Sequence, residues 1–214
     1  MQVYHFTRPD HALENIRRRR LKISRLNALN DPFEFFGPIF PTKDERGAMK
    51  KTKDQLGENR GLICFSRAWR HPLMWGHYAD SCKGVCYGFV TVGRVPLVKV
   101  DYLAKRPSLA RFGIAHASQL TENHMEQILR MKFDAWSYED EHRLFCGLQH
   151  AENGHYFLDF EPCLRLNRVI VGPESTISRD DVMDALGNLQ GVQIFQARPA
   201  FLSFKMTRQH DARW

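Results

Sequence analysis

The order of strands and helices that the sequence predicts constrains the fold of this chain more than any single motif does. Alternating apolar and polar residues in QVYHFT predict a strand at residues 2–7, and PDHALENIRRRR, with Pro9 close to its start, predicts a helix. Further along, strands outnumber helices and the two do not alternate regularly. We therefore expect an α+β fold, with one domain over residues 1–214 and a mixed, mainly antiparallel sheet flanked by helices.

Later segments predict a specific hairpin in this sheet and a long helix. The segments KGVCYGFVTV and PLVKVDYL predict a hairpin, because turn residues separate two strand patterns. Apolar residues recur at helical spacing in HASQLTENHMEQILRMKFDAW, which predicts the longest helix. Other strands are predicted at LKISR, LICFSR, HRLFCGL, HYFLDF, RVIVG, VQIFQ and FLSFKM, and other helices at HPLMWGHYAD and SRDDVMDALGNL.

Composition and charge limit the cellular environment and the binding partners that we expect for this protein. No apolar run is long enough to span a membrane and the first ten residues lack the features of a secretory signal, so we expect no membrane partner. Five cysteines, an odd number among apolar neighbours, indicate reduced thiols and a cytoplasmic protein. The formal charge of +7 favours an anionic partner such as nucleic acid or a dinucleotide.

Several common signatures are absent. The chain has no G-x-G-x-x-G or G-x-x-x-x-G-K phosphate loop, and Ser66 does not lie in a nucleophile elbow. His71, His77, Cys82 and Cys86 are close in sequence, but H-x5-H and C-x3-C are not the paired spacings of structural zinc sites. We therefore expect no bound metal.

The segment WSYEDEHRLF places charged residues inside a predicted strand. Because side chains two apart in a strand point to the same face, Glu139, Glu141 and Arg143 are expected together, with Asp140 and His142 pointing away. Three interpretations stay open for this cluster: a solvated face with salt bridges, a metal site, and a catalytic pair of carboxylates.

Aromatic and hydroxyl-binding residues elsewhere favour the catalytic interpretation. His5 and Thr7 lie on one face of the first strand and are able to hydrogen-bond a ribose. An aromatic wall, sugar-binding groups and paired carboxylates suit the cleavage of an N-glycosidic bond, in which the base is held flat and negative charge stabilises a cationic ribose. The aromatic candidates are Trp75, His77, Tyr78, Trp136 and Tyr138.

Five motifs together resemble a known family. YHFT, ALENIRRRRLKIS, LNDPFE, ICFSR followed by PLMWGHYADSCKGVCYGF, and WSYEDEHRL occur in this order from residue 4 to about residue 145, with a weaker match at RVIVG. They are similar to the bacterial family catalogued as domain of unknown function twenty-nine seventy-one. The layout of that family is similar to that of ADP-ribosyltransferase-like proteins, so the resemblance implies an ADP-ribosyltransferase-like fold and NAD as the substrate.

The resemblance also implies roles for residues of this chain. His5 and Thr7 would bind the ribose of NAD, and Tyr78 would stack on nicotinamide. Tyr78 lies on a predicted helix, however, whereas ADP-ribosyltransferase-like proteins place this residue on a strand, so Trp75 or His77 is an alternative. Glu141 would contact the transferred ribose, and Glu139 would activate the acceptor. Asn30, Asp31 and Glu34 of LNDPFE match the family motif without an assigned role.

These observations lead to one main hypothesis and two alternatives. The main hypothesis is an enzyme that transfers ADP-ribose from NAD to a macromolecule, with nucleic acid as a candidate acceptor, acting as a toxin or anti-phage effector with an antitoxin or defence-system partner. Ser66 is a further candidate for NAD binding, and Arg25 or Arg67 would lie near the pyrophosphate. The alternatives are a non-catalytic module that binds nucleic acid and a hydrolase of NAD or another nucleotide.

Overall fold

The computed structural model describes residues 1–211 and 214, which form an α+β fold. The strands are β1 (Gln2–Thr7), β2 (Arg20–Arg25), β3 (Arg60–Ser66), β4 (Val85–Thr91), β5 (Val98–Lys99), β6 (Asp101–Leu103), β7 (Met131–Phe133), β8 (Glu141–Gly147), β9 (Tyr156–Asp159), β10 (Leu164–Val171), β11 (Gln193–Pro199) and β12 (Met206–Arg208). The α-helices are α1 (Pro9–Arg17), α2 (Lys43–Asn59), α3 (Pro72–Tyr78), α4 (Glu122–Ile128) and α5 (Arg179–Leu186). Short 3-10 helices occupy Leu26–Ala28, Leu109–Phe112, Ala117–Gln119 and Asp134–Glu139.

Ten of the strands form one sheet, in the order β12-β11-β10-β4-β1-β3-β2-β9, to which β8 and β5 attach through β3. The pairing of β10 with β11 is parallel, and the other pairings within this sheet are antiparallel. A separate parallel pair joins β6 and β7. The expectation of an α+β chain with a mixed, mainly antiparallel sheet is therefore confirmed.

The sheet divides at β3. One edge of β3 pairs with β8 along its whole length. Two strands share the other edge. Strand β1 pairs with it only at Tyr4–Ser66, and β2 pairs near the opposite end, at Ser24–Leu62 and Arg25–Gly61. Along residues 63–65, neither β1 nor β2 continues the ladder. The two strands therefore diverge here and leave a gap in the middle of the sheet.

Helix α3 lies against β1 beside this gap. Pro72 occupies the first turn, where its fixed φ suits a helix start and its missing N–H leaves no bond unmade. Trp75 is fully buried, and its ring meets Phe6 of β1 edge-on, with ring centroids 5.2 Å apart. Burying this face of α3 leaves His77 exposed and Tyr78 partly exposed at the C-terminal end of the helix.

Two packed clusters on the sheet fix these elements. Helices α1 and α5 bury Ala12, Ile16 and Val182 in the larger core, together with β1 and β4 residues such as Val3 and Tyr87. Met74 and Trp75 belong to a second cluster with Tyr4 and Phe6. The five cysteines are free thiols, and no helix in the described part of the chain has the length and apolar character to cross a membrane.

Three of the predicted elements were wrong. The expected hairpin does not form because β1 and β10 occupy both edges of β4, and β5 pairs with β8 instead. The long helix is replaced by α4, which begins after the cap Thr121 and is followed by β7 and a 3-10 helix. In FLSFKM, the strand begins only at Met206, and the residues before it form an exposed loop.

Candidate active site

A cavity of about 320 Å³ opens at the gap where β1 and β2 diverge along β3. Strands β1, β3 and β8 contribute to it, as do α3 and the segment after β2. Such a volume lies at the small end of ligand-binding sites. The lining residues are Tyr4, His5, Phe6, Ser24, Ala28, Leu29, Asn30, Glu34, Cys64, Phe65, Ser66, Met74, His77, Tyr78, Lys132, Glu139 and Glu141.

His5 bridges the gap with its imidazole. Its Nδ1 lies 2.9 Å from the carbonyl oxygen of Cys64 on β3. Because a carbonyl only accepts, Nδ1 carries the proton in this bond. Burial lowers the pKa of His5, although the Cys64 bond opposes this, so the neutral ring is favoured at neutral pH. A neutral ring protonated at Nδ1 leaves Nε2 as an acceptor for a hydroxyl group.

Five charged side chains form a buried cluster at one wall of the cavity. Arg143 binds Glu34 through both terminal nitrogens, at 2.5 and 2.9 Å, and its Nε lies 2.8 Å from Glu141 Oε1. Lys132 Nζ lies 2.5 Å from Glu139 Oε2 and 2.9 Å from Glu141 Oε2. The three carboxylates and two cations sum to a charge of −1 when all are ionised, and to zero when one carboxyl is protonated.

Burial decides between the three interpretations of the Glu139 segment. Glu139, Glu141 and Arg143 are 2%, 3% and 0% exposed, so the solvated face is excluded. The cation between the two carboxylates is the Lys132 ammonium, and the described residues contain no group of three or more side chains suited to a metal ion. A pair of carboxylates at a cavity is the interpretation that fits this arrangement.

The two glutamates do not meet through strand alternation, as the sequence predicted. Glu139 ends a 3-10 helix, and Asp140 has φ 42°, in the left-handed region, so the chain turns before Glu141 begins β8. The backbone N–H of Glu141 donates to the Tyr102 hydroxyl at 2.9 Å, and the Asp140 carbonyl accepts from the N–H of Arg67 at 3.2 Å. These bonds fix the turn that aims both carboxylates at Lys132.

The environment separates the pKa values of the two carboxyls. Burial raises the pKa of Glu139, as does the charge of Glu141, and Lys132 offsets part of this, which leaves a pKa of about 7. Burial acts on Glu141 in the same direction, but the attraction of Arg143 and Lys132 outweighs it and holds the pKa of Glu141 well below its usual range. One carboxyl is therefore able to exchange a proton near neutral pH while its neighbour stays ionised.

Tyr78 connects the helix α3 to this pair. Its hydroxyl donates to Glu139 Oε1 and accepts from Asn30 Nδ2 at 2.9 Å. Burial and the charge of Glu139 raise the pKa of Tyr78, so it stays a donor. His77 packs tilted beside Tyr78, with ring centroids 6.2 Å apart, and edge-on to Trp136 at 6.0 Å. An aromatic rim therefore lies directly beside Glu139.

Six of the ten residues predicted for the site line the cavity: His5, Ser66, His77, Tyr78, Glu139 and Glu141. Ser66 has a local role, since its Oγ donates to the carbonyl of Ala68 at 2.9 Å and lies 3.1 Å from the Ala68 N–H. The predicted stacking of Trp75 on a ligand was wrong, because the ring is fully buried and its Nε1 donates to the Trp69 carbonyl at 2.7 Å.

Thr7, Arg25 and Arg67 do not line the cavity. Thr7 is buried at the end of β1, opposite Val85. The Arg25 guanidinium lies over the Tyr156 ring, 5.2 Å from its centroid, and the Arg67 guanidinium donates to a backbone carbonyl of β1. The expected contacts of these three side chains with ribose and pyrophosphate are therefore not supported by where they lie.

Sequence reasoning missed several contributors to the site. Lys132 carried no signal, because it lay in a segment that was predicted as helix. Cys64 and Ser24 looked like ordinary strand residues, yet both line the cavity. The sequence assigns no role to Glu34, and the structure shows its carboxylate bound to Arg143. The LNDPFE motif that contains Glu34 was the one sequence feature that pointed to this residue.

Comparisons with family models, with curated proteins and with solved structures found no match. The resemblance drawn from the motifs stays a prediction, and the chemistry assigned to this chain rests on the geometry of the cavity.

Proposed function

We propose that this protein is an ADP-ribosyltransferase-like enzyme that cleaves the nicotinamide–ribose bond of NAD and transfers ADP-ribose to a macromolecular acceptor. The observation that carries the proposal is a buried carboxylate pair, Glu139 and Glu141, with separated pKa values at a cavity that His5 and Tyr78 also line. An ADP-ribosyltransferase-like fold belongs to the same proposal.

The cavity suits the part of NAD that reacts. Its volume of about 320 Å³ accommodates nicotinamide and its ribose, and the rest of the dinucleotide extends outside. Nε2 of His5 accepts a hydrogen bond from a ribose hydroxyl. The partly exposed ring of Tyr78 offers a flat wall for nicotinamide, and His77 flanks it.

The first step breaks the bond between C1′ of the ribose and the nicotinamide nitrogen. Both bonding electrons leave with nicotinamide, which becomes neutral, and the ribose becomes cationic. The cluster of Glu34, Glu139, Glu141, Lys132 and Arg143 carries a charge of −1 when Glu139 is ionised, and this excess stabilises the cation. Lys132 and Arg143 keep Glu141 ionised and fixed in position.

The second step joins C1′ to the acceptor. A hydroxyl or amine of the acceptor attacks C1′ and gives its proton to the carboxylate of Glu139. With a pKa of about 7, Glu139 is substantially ionised at neutral pH and is still basic enough to take this proton. The net charge of +7 supports nucleic acid as the acceptor. Modification of nucleic acid in the cytoplasm would make the protein a toxin or an anti-phage effector.

Release of nicotinamide from NAD tests the first step. We expect Glu141→Gln to keep the fold and lose release, and Glu139→Gln to lose transfer more than release. Glu152→Gln is the matched control, because Glu152 is an exposed glutamate that also pairs with arginines. Full release of nicotinamide by a folded Glu141→Gln protein would refute the proposal.

Labelled NAD, incubated with protein, DNA and RNA together, identifies the acceptor. Label on one class of macromolecule establishes transfer, whereas free ADP-ribose alone would mean that the enzyme is a hydrolase. Salt-sensitive binding of nucleic acid without any NAD turnover would instead favour a non-catalytic binding module.

A further inference from the structure

The loop between β11 and β12 exposes three large apolar side chains side by side. Phe201, Leu202 and Phe204 are 88%, 100% and 99% exposed. The backbone closes beneath them, where the Ala200 N–H donates to the Lys205 carbonyl at 2.9 Å. Contiguous exposed apolar residues on a protein surface mark a contact site more often than isolated ones do. These side chains therefore form an apolar tip at the end of a closed hairpin.

Basic residues surround this apolar tip. Arg198, Lys205 and Arg208 lie on the two strands and the loop, and the sequence from residue 198 to residue 210 contains no Asp or Glu. The Arg198 guanidinium covers the Phe201 ring at 4.4 Å from its centroid. Glu174 lines the groove at the base of the loop and is not part of the hairpin. The hairpin therefore presents hydrocarbon at its end and positive charge around it.

We propose that this apolar tip inserts into one face of a lipid bilayer that carries anionic headgroups. Apolar side chains enter the region between headgroups and acyl chains, and the basic residues stay at the headgroup level. Such a contact is peripheral and needs no spanning helix, so it replaces the expectation of no membrane partner, which rested on the lack of an apolar run long enough to span a bilayer. It goes beyond the proposed activity on NAD without depending on it.

The shape and charge of the hairpin favour a bilayer over other partners. Leu202 is 100% exposed at the end of the loop, and a fluid hydrocarbon layer surrounds such a side chain without needing a complementary pocket. A second copy of this chain brings the same positive charges to the contact, and these repel. Bases of single-stranded nucleic acid stack on aromatic rings and gain little from an aliphatic side chain such as Leu202.

Flotation with phospholipid vesicles tests the insertion. The full chain is mixed with phosphatidylcholine vesicles that contain or lack phosphatidylserine. We expect binding to the anionic vesicles that weakens with salt, and a loss of about a hundredfold or more in the Phe201→Ser, Leu202→Ser, Phe204→Ser triple variant. Because these side chains are exposed, the variant should unfold at the same temperature as the wild type.

A second variant separates hydrocarbon insertion from base stacking. Phe201→Leu with Phe204→Leu keeps an apolar tip and removes both rings, so we expect its vesicle binding to stay within about tenfold of the wild type. A single-stranded oligonucleotide is tested in parallel by fluorescence anisotropy. The proposal is overturned if the wild type does not bind anionic vesicles. It is also overturned if the wild type binds the oligonucleotide and the leucine variant binds neither the oligonucleotide nor the vesicles.

Discussion

The raised pKa of Glu139 has a consequence for folding stability that can be measured without any substrate. Its carboxyl has a pKa of 4.5 when unperturbed and about 7 in the folded chain, mainly because it is buried. Between these pH values the folded state holds more protons than the unfolded state. Stability rises with pH only where the unfolded state holds more. The stabilising contribution of Glu139 is therefore fully present below pH 4.5 and is lost as the pH rises towards 7.

The size of this effect follows from the same two values. At about 1.4 kcal/mol per pH unit, the difference between 4.5 and about 7 amounts to roughly 3 kcal/mol of unfolding free energy. Glu141 acts in a different window. Its pKa is lowered in the folded chain, chiefly because Arg143 and Lys132 outweigh its burial, so its contribution is lost only as the pH falls below 4.5. The two carboxyls therefore lose their contributions to the unfolding free energy in different pH ranges.

Denaturant unfolding of the wild type and Glu139→Gln, repeated from pH 4.5 to pH 8, measures this contribution. Glutamine does not titrate, so the stability of the wild type relative to the variant should fall by roughly 3 kcal/mol across the window. Glu152→Gln is the control, because arginines hold the pKa of Glu152 to about 2 and its difference from the wild type should stay flat. A flat profile for Glu139→Gln would refute the assigned protonation.

Three further changes test the contacts of this pair and the packing of the sheet. Tyr78→Phe removes a hydrogen bond that lowers the pKa of Glu139, so the midpoint of the same stability profile should move to higher pH; an unchanged midpoint would contradict the contact. Arg143→Met removes the cation that binds Glu34 and Glu141 and leaves only Lys132 to offset three buried carboxylates, so it should lower the unfolding free energy by about 3–5 kcal/mol in urea. Gly84→Ala places a Cβ 2.1 Å from the Thr7 carbonyl oxygen and should cost about 1–3 kcal/mol by the same assay.

The spacing of apolar residues predicted individual strands and helices better than it predicted which strands pair with each other. The patterns for β1 and α3 were correct because apolar spacing over a few residues decides both. The hairpin of β4 with β5 was wrong because β4 lies at the centre of the sheet, with β1 and β10 already on its edges. Such pairings join residues far apart in sequence, and no short pattern encodes them.

The candidate site shows the same limit. Glu139 and Glu141 were expected together, and they do converge, but a left-handed turn at Asp140 brings this about and strand alternation does not. Their cationic partner, Lys132, comes from a segment whose apolar spacing resembled a helix. Only tertiary packing supplies a buried cation here, so sequence patterns could not predict the separated pKa values of the two carboxyls.

The gap between β1 and β2 links occupancy of the cavity to the integrity of the whole sheet. Its walls come from β1, β3, β8 and α3, which span much of the chain and meet only when the centre of the sheet has assembled. A molecule that enters the gap binds the folded state and not the unfolded chain, so it raises the melting temperature of the entire protein in proportion to the logarithm of its concentration. Unfolding of any one wall, conversely, removes the cavity and releases the bound molecule.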